Sequence, residues 1–355
     1  MTAIYVTETG SELKVQHHHL LVFHHGELRY KVPINQVSQI IVFGCHLSRE
    51  AASLALFRRI PILFLGTQGQ YLGRSKHKSK RQPKYQPHQL KRSFDFEFTF
   101  ATAQSMIRAK LHNCCIVLQR LMFIGSTLAV QTALDVMVLL IDDLPMANSI
   151  DELREYEVMA ATFYYSALAS LLPHSFGFKQ RKNHPPTDPI NSLLNLGYIL
   201  LNQTIYSFVQ ELGLDCDFGN LHLESYYPSP LVCDFMAEFR ALLVDELVAS
   251  LVISQALAFD DFLLGNTCLD GYLSPQTLNT FLKYWEDKLQ TQVIHPHAGK
   301  LSYRQCLELQ VREYITCLLG DVEFYRPMLF KVNAAPLAVY SPDKQETEQL
   351  IPLHL

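Results

Sequence analysis

Four positions in the second half of the chain carry side chains, or a conspicuous lack of one, that could do chemistry together. Glu157 lies in "REYEVMAATFYYSAL", and helical spacing puts it on one face with Ala160, Ala161, Tyr164 and Tyr165. Two alanines beside a carboxylate let another backbone approach closely, as a site packed between helices requires. His222 follows the turn-rich "GLDCDFGN", whose tight exit would hold an imidazole rigidly. Asp234, Ala237 and Glu238 stand at i, i+3 and i+4 in "CDFMAEFR" and project from one side of a helix. Between the first two segments runs "GFKQRKNHPPTDPIN", where Lys179, Arg181 and Lys182 cluster and no acid appears before Asp188. Two carboxylates and an imidazole suit a divalent ion, and a cationic rim suits a polyanionic substrate. Each residue also has a plainer reading. Glu157 could be a boundary glutamate, His222 a packed histidine, Asp234 a partner for the helix dipole, and Arg240 either the partner of Asp234 or a phosphate clamp.

These residues need elements to position them. The chain has 355 residues, enough for two domains with real cores. It is 48% apolar and 18% charged, which excludes a disordered chain. A net charge of −4 argues against a cation-coated protein but leaves room for local basic patches. The longest apolar run, "ALLVDELVASLVISQALAF", contains Asp245 and Glu246, so a buried helix is expected rather than a membrane span. "MTAIYVTETG" has no basic flank or apolar signal core, and the eight cysteines form no CxxC pair. A cytoplasmic protein with free thiols is expected.

Up to about residue 90 the pattern alternates. "AIYVTE", "ELKVQ", "HLLVFHH", "ELRYKVPI" and "QIIVFG" read as strands, "SREAASLALFRRI" as one helix capped by Ser48, and "PILFLGTQGQYLG" as strand again. His17, His18, His19, His24 and His25 read as a polar strand rather than a metal site, since no carboxylate or cysteine accompanies them. A basic stretch, "GRSKHKSKRQPKYQPHQLKR", reads as a solvated linker that could also contact phosphates. After Phe94 the period is helical throughout, with starts at Asp188-Pro189 and Ser274-Pro275. The fold class is α+β: a small β-rich N-terminal domain over 1–90, a basic linker to about 95, a larger all-α domain over 96–335, and a tail over 336–355.

Several blocks resemble the CRISPR-associated adaptation endonuclease, the spacer-acquisition integrase subunit and first-numbered Cas protein. They are "EVMAATFYYSAL", "FGFKQRKNHPPTDPINSLLNLGYILL", "GLDCDFGNLH" and "LVCDFMAEFRALLVDELV", preceded in family order by "IYVTETGSELKV", "VPINQVSQIIVFG" and "IPILFLGTQGQYLGR". The resemblance spans nearly the whole chain and is looser over the last hundred residues. It implies a β-rich domain that pairs two copies, and a helical domain holding Mg²⁺ or Mn²⁺ for 3′-hydroxyl transesterification of double-stranded DNA into the repeat array. A small second adaptation protein would bridge two dimers. The implied metal ligands are Glu157, His222 and an acid in the turn D-x-x-E/D-x-F-R, with Asp234 a second acidic position beside the metal. Here that turn is "DFMAEFR", so the acid's place is taken by Ala237. Glu238 is one residue out of register, about 100° around the helix. Three accounts of Ala237 follow: an introduced Glu→Ala change, preferred because the flanking residues keep the pattern; a natural site worked by Asp234; or lost catalysis with DNA holding retained. Lys179, Arg181, Lys182, Arg240 and Tyr165 are the expected DNA contacts. The alternative function is a non-catalytic DNA-binding scaffold, and a helical metalloenzyme acting on small molecules is the third.

Overall fold

The computed structural model describes residues 2–75, 83–122, 125–183, 185–222, 229–262 and 272–331. The chain opens with strands β1 (Thr2–Val6), β2 (Ser11–Gln16), β3 (His19–His24), β4 (Glu27–Pro33), β5 (Val37–Phe43) and β6 (His46–Leu47). Helix α1 (Arg49–Phe57) follows, then β7 (Ile62–Leu65) and β8 (Tyr71–Arg74). They form two four-stranded sheets, ordered β1-β5-β7-β8 and β4-β3-β2-β6. Ser48 caps α1 as expected, its Oγ accepting from the Ala51 amide at 3.2 Å.

The first sheet is apolar on both faces, and its two-residue period divides the molecule. Ile4, Val6, Ile40, Val42 and Ile62 enter a core confined to the N-terminal part. Ala3, Tyr5, Ile41, Phe43, Leu63 and Leu65 enter the main core of the helical body. A strand buried on both faces is an unbroken apolar run, as "QIIVF" is. The histidine-rich stretch departs from a continuous strand. His17 and His18, with φ of 46° and 61°, make the tight turn between β2 and β3, and His25 and Gly26 make the next. Positive φ at both central positions gives the turn twist that two-residue hairpins favour.

The body comprises α2 (Gln86–Ser93), α3 (Phe96–Leu121), α4 (Leu128–Asp143), α5 (Ile150–Leu171), α6 (Pro189–Glu211), α7 (Pro230–Phe239), α8 (Glu246–Ile253), α9 (Pro275–Gln290) and α10 (Tyr303–Leu319). Asp188 and Ser274 cap α6 and α9 as read from the sequence, accepting from Asn191 and Thr277 amides at 2.8 and 3.1 Å. Two boundaries differ from the sequence reading. Helix α2 falls inside the expected β-rich range, yet Gln86 Nε2 donates to Asp215 Oδ2 at 2.7 Å and Gln89 bonds the Asp215 backbone. It therefore belongs to the helical body. The body is also not all helix: β9 (Gln292–His295) and β10 (Gly299–Ser302) pair antiparallel. Alternate burial of Val293 and His295 makes this short stretch a strand rather than a helix end. The linker residues 76–82 and the tail from 332 lie outside the described residues. Among the described residues no helix is long and apolar enough to cross a membrane.

Between α7 and α8 the helix widens into a π turn over Arg240–Asp245. Such turns are often found at functional sites, because one extra residue re-aims the side chains around it. Gly197 on α6 lets this segment close in. A Cβ there would lie 2.4 Å from Val244 Cγ1 and 3.3 Å from Phe281 Cζ. Alanine ordinarily gains about 1 kcal/mol over glycine within a helix, but overpacking a stiff, buried valine costs about 1–3 kcal/mol. Gly197→Ala is expected to lower stability by about 1–2 kcal/mol net. A thermal melt showing the variant equal to or above wild type would remove this account of the close approach.

Candidate functional site

The sequence-predicted residues converge. A cavity of about 670 Å³ opens between α3, α5, α6, α7 and the sheet edge, with Glu157, His222, Ala237 and Arg240 on its wall. Ala160, Ala161, Tyr164 and Tyr165 line it too, so the α5 face inferred from spacing is the face that is used. Cys233, Ala237, Ala241 and Asp245 form a stripe along α7 and the π turn.

Asp234 does not line the cavity. It is fully buried and accepts the backbone amides of Asn220, Leu221 and His222 at 2.5, 3.2 and 3.0 Å. Its Oδ1 also meets His222 Nδ1 at 2.7 Å. The carboxylate thus folds the 220–222 turn around itself and leaves Nε2 as the imidazole nitrogen that a ligand in the cavity would meet. Asp234 is a positioning group whose oxygens are already used, and the plain dipole-partner reading gives way to this one. Arg240 is not its partner. The Arg240 guanidinium stacks over Tyr198, 5.5 Å from the ring centroid.

Glu238, the acid one step from the expected position, faces away. Tyr325 Oη, Gln310 Nε2 and the Met328 amide donate to it at 2.5, 3.2 and 2.9 Å. Burial lifts its carboxyl to about 7 despite these donors. It ties α7 to the segment after α10 and offers nothing to the cavity.

Glu157 Oε1 meets Lys110 Nζ on α3 at 2.5 Å. Burial pushes the Glu157 carboxyl up, but Lys110, with smaller help from His222 and Arg240, outweighs that and holds it at about 2. Removing one partner of a buried pair typically costs about 3–5 kcal/mol. The donor set on the cavity wall is therefore short for a divalent ion. Ala237 contributes no donor, Asp234 and Glu238 are spent elsewhere, and Glu157 already holds a cation. Among the described residues no three His, Cys, Asp or Glu side chains are grouped to hold a metal. The residues present do not fit the ion that the resemblance implies.

The basic loop is well ordered against α6. Arg181 Nη1 and Nη2 donate to Asn191 Oδ1 and Asn195 Oδ1 at 3.0 and 2.6 Å, and its guanidinium stacks on Tyr198 at 5.0 Å. Arg181 lines the cavity, whereas Lys179 and Lys182 are exposed at its margin. Tyr165 Oη pairs with Tyr198 Oη at 2.8 Å, and Tyr198 in turn donates to Asp245. Burial raises Asp245 to about 6.

Sequence reasoning missed Arg74, Lys110, Asn195, Tyr198 and Asp245 as wall residues. A signal existed for Asp245, because an acid inside an apolar run must find donors. None existed for Lys110 or Arg74, whose neighbourhood is created only by tertiary packing.

The fold and cavity together define an α+β protein with a cation-lined seat for an anion in its helical part. The family described as CRISPR associated protein Cas1 matches residues 4–287, and the chain belongs to it. It is 30% identical over 332 residues to CRISPR-associated endonuclease Cas1 3 of Thermus thermophilus, covering 91% of this chain and 93% of that one. It is 25% identical to CRISPR-associated endonuclease Cas1 4 of Methanospirillum hungatei, over 86% and 84%. A solved Cas1 protein from Thermotoga maritima superposes with a TM-score of 0.77 at 22% identity, covering 90% and 97%. A casposase bound to integration product gives 0.78 at 20% identity, over 98% and 96%. A Cas6-RT-Cas1–Cas2 complex gives 0.78 at 20%, over 96% of this chain and 36% of that one.

The burial of Glu238 makes stability depend on pH. Its folded value of about 7 stands above the ordinary 4.5. Below pH 4.5 the group is protonated whether folded or not, and burial carries no ionic cost. From about 4.5 to 7 the unfolded chain ionises first, so the native state loses stability as pH rises, by on the order of 3 kcal/mol in all. Glu238→Gln removes this component. Urea unfolding across that window is expected to show the variant gaining on wild type as pH rises. Parallel curves would mean that Glu238 is not held protonated.

Proposed function

We propose that the protein is the integrase and endonuclease subunit of CRISPR adaptation, acting on double-stranded DNA at the cavity just described. The observation that carries this is the convergence of Glu157 and His222, from distant segments, on one cavity whose wall also presents Arg74, Lys110, Arg181 and Arg240. Phosphodiester transesterification needs stabilisation of charge on the phosphorus centre and a positioned oxygen nucleophile. The guanidinium groups of Arg181 and Arg240 suit the phosphate oxygens, Arg for its paired donors. Lys179 and Lys182 at the margin extend the cationic track, and Tyr165 offers a hydroxyl already oriented by Tyr198. Mg²⁺ or Mn²⁺ belongs to this reading as the ion that an acid at 237 would complete.

As written, the chain lacks that acid. This favours a second reading, a DNA-holding scaffold subunit without catalysis of its own. The partners in either reading are a second copy through the β-rich part and a small second adaptation protein. The neighbouring Cas1–Cas2 complex supports the latter by likeness. A cytoplasmic location accords with DNA as substrate.

The two readings divide on Ala237→Glu. With Mn²⁺ present, strand transfer and cleavage are expected to rise at least about tenfold over the parent chain, the scale on which a metal's surroundings act. If neither protein acts while DNA binding persists with a steep salt dependence, the scaffold reading holds. DNA binding that fails at moderate salt would sink both.

A further inference from the structure

We propose that Lys110 takes the place of the divalent ion in this chain, so that the cavity seats a DNA phosphodiester without metal. The inference rests on the cavity being a DNA seat, and it goes beyond that in naming the cation.

The ammonium of Lys110 sits against Glu157, the one cavity carboxylate that the resemblance assigns to metal. Lys110 is rooted on α3, one of the most deeply buried helices, so its position is set by the core rather than by a loop. The pair is mostly shielded from water, with 14% and 16% of the two side chains exposed. A divalent ion would have to displace an ammonium held at hydrogen-bond distance, and would gain only Glu157 and His222 in return. A Mg²⁺-type ion takes six oxygens in near-octahedral array, so two protein donors hold it weakly.

The cavity is nevertheless not neutral. Four cations, Arg74, Lys110, Arg181 and Arg240, face two carboxylates, Glu157 and Asp245. Two guanidinium atoms in this wall, Arg74 Nη1 and Arg240 Nε, are buried with no hydrogen-bond partner among the described residues. Buried unpaired donors of this kind are rare, and they are resolved by an acceptor. Arg74 stacks 4.2 Å from the Tyr206 centroid and Arg240 stacks on Tyr198, so neither swings freely toward water. An anion with several acceptor oxygens answers both donors and the excess charge. A phosphodiester carried on a single strand fits the space, because tyrosines 71, 164, 165 and 198 on the same wall offer ring faces and edges to a base. Lys110 then bridges Glu157 and a phosphate oxygen, doing by one charge what a metal does by two.

The test uses the full chain and a thymidine dinucleotide, small enough for the cavity, with binding read by calorimetry. Affinity is expected to agree within about twofold in excess EDTA and in Mn²⁺. Lys110→Met would leave Glu157 unpaired and could disturb folding, so the paired variant Lys110→Met with Glu157→Gln is used beside it. Loss of the charge should weaken binding at least about tenfold, or about 1.4 kcal/mol. Glu157→Gln alone, which releases Lys110 to the phosphate, should bind more tightly than wild type. Electron paramagnetic resonance of Mn²⁺ should show the free-ion signal unchanged on adding the wild-type chain. Stoichiometric loss of that signal, binding abolished by EDTA, or a paired variant that binds as well as wild type each overturns the proposal. If long duplex DNA binds but the dinucleotide does not, the inference falls and the DNA-holding reading stands. If neither binds, both fall.

Discussion

The helical body has to keep five carboxylates inside an apolar core, and its architecture follows from how each is matched. Taking an ion out of water costs several kcal/mol unless donors surround it. Glu157 has Lys110, Asp234 has three amides and an imidazole, and Glu238 has a tyrosine, a glutamine and an amide. Asp245 has Tyr198, and Glu246 has Arg120 and Lys288 at 2.9 and 2.7 Å. Every one of these contacts joins elements far apart in sequence. They pin α3, α5, α6, α7, α9 and the 220–222 turn to a common arrangement, which apolar packing alone would leave free to slide.

The same matching divides function from support. Of the three acids at and beside the 237 position, two are consumed in holding the fold. Asp234 shapes the turn that carries His222, and Glu238 anchors the chain after α10. A carboxylate at 237 would have been the one with nothing structural to do. Its absence therefore costs the fold little, and the cavity keeps its shape and its cations.

Much of this was legible in the sequence. The alternating and helical periods located nearly every element, and Ser48, Asp188 and Ser274 announced three helix starts by their capping chemistry. The α5 face of Glu157 followed from spacing alone. Periodicity could not place α2, because its exposed polar run owes its helix to contacts with Asp215. Nor did it find the hairpin of β9 and β10, which is too short to show a pattern. The histidine turns looked like strand because histidine carries no turn signal, though it tolerates positive φ. At the site, the residues that chemistry names were found, and those that packing recruits were not. Lys110 reads as an ordinary surface lysine until α5 is laid against α3. The role of Asp234 was invisible because its donors are backbone amides.

The π turn at 240–245 sets a length gauge. One more residue is wound into that turn than an α-helix would hold, and this extra residue lets Asp245 reach Tyr198 while Glu246, its immediate neighbour, reaches Lys288 on the other side. Deleting any single residue between Ala237 and Asp245 would rewind the segment and swing both acids by about 100°. Each would then face the other's surroundings. Chains of this architecture can trade side chains along the segment, but the count of residues in it is not negotiable.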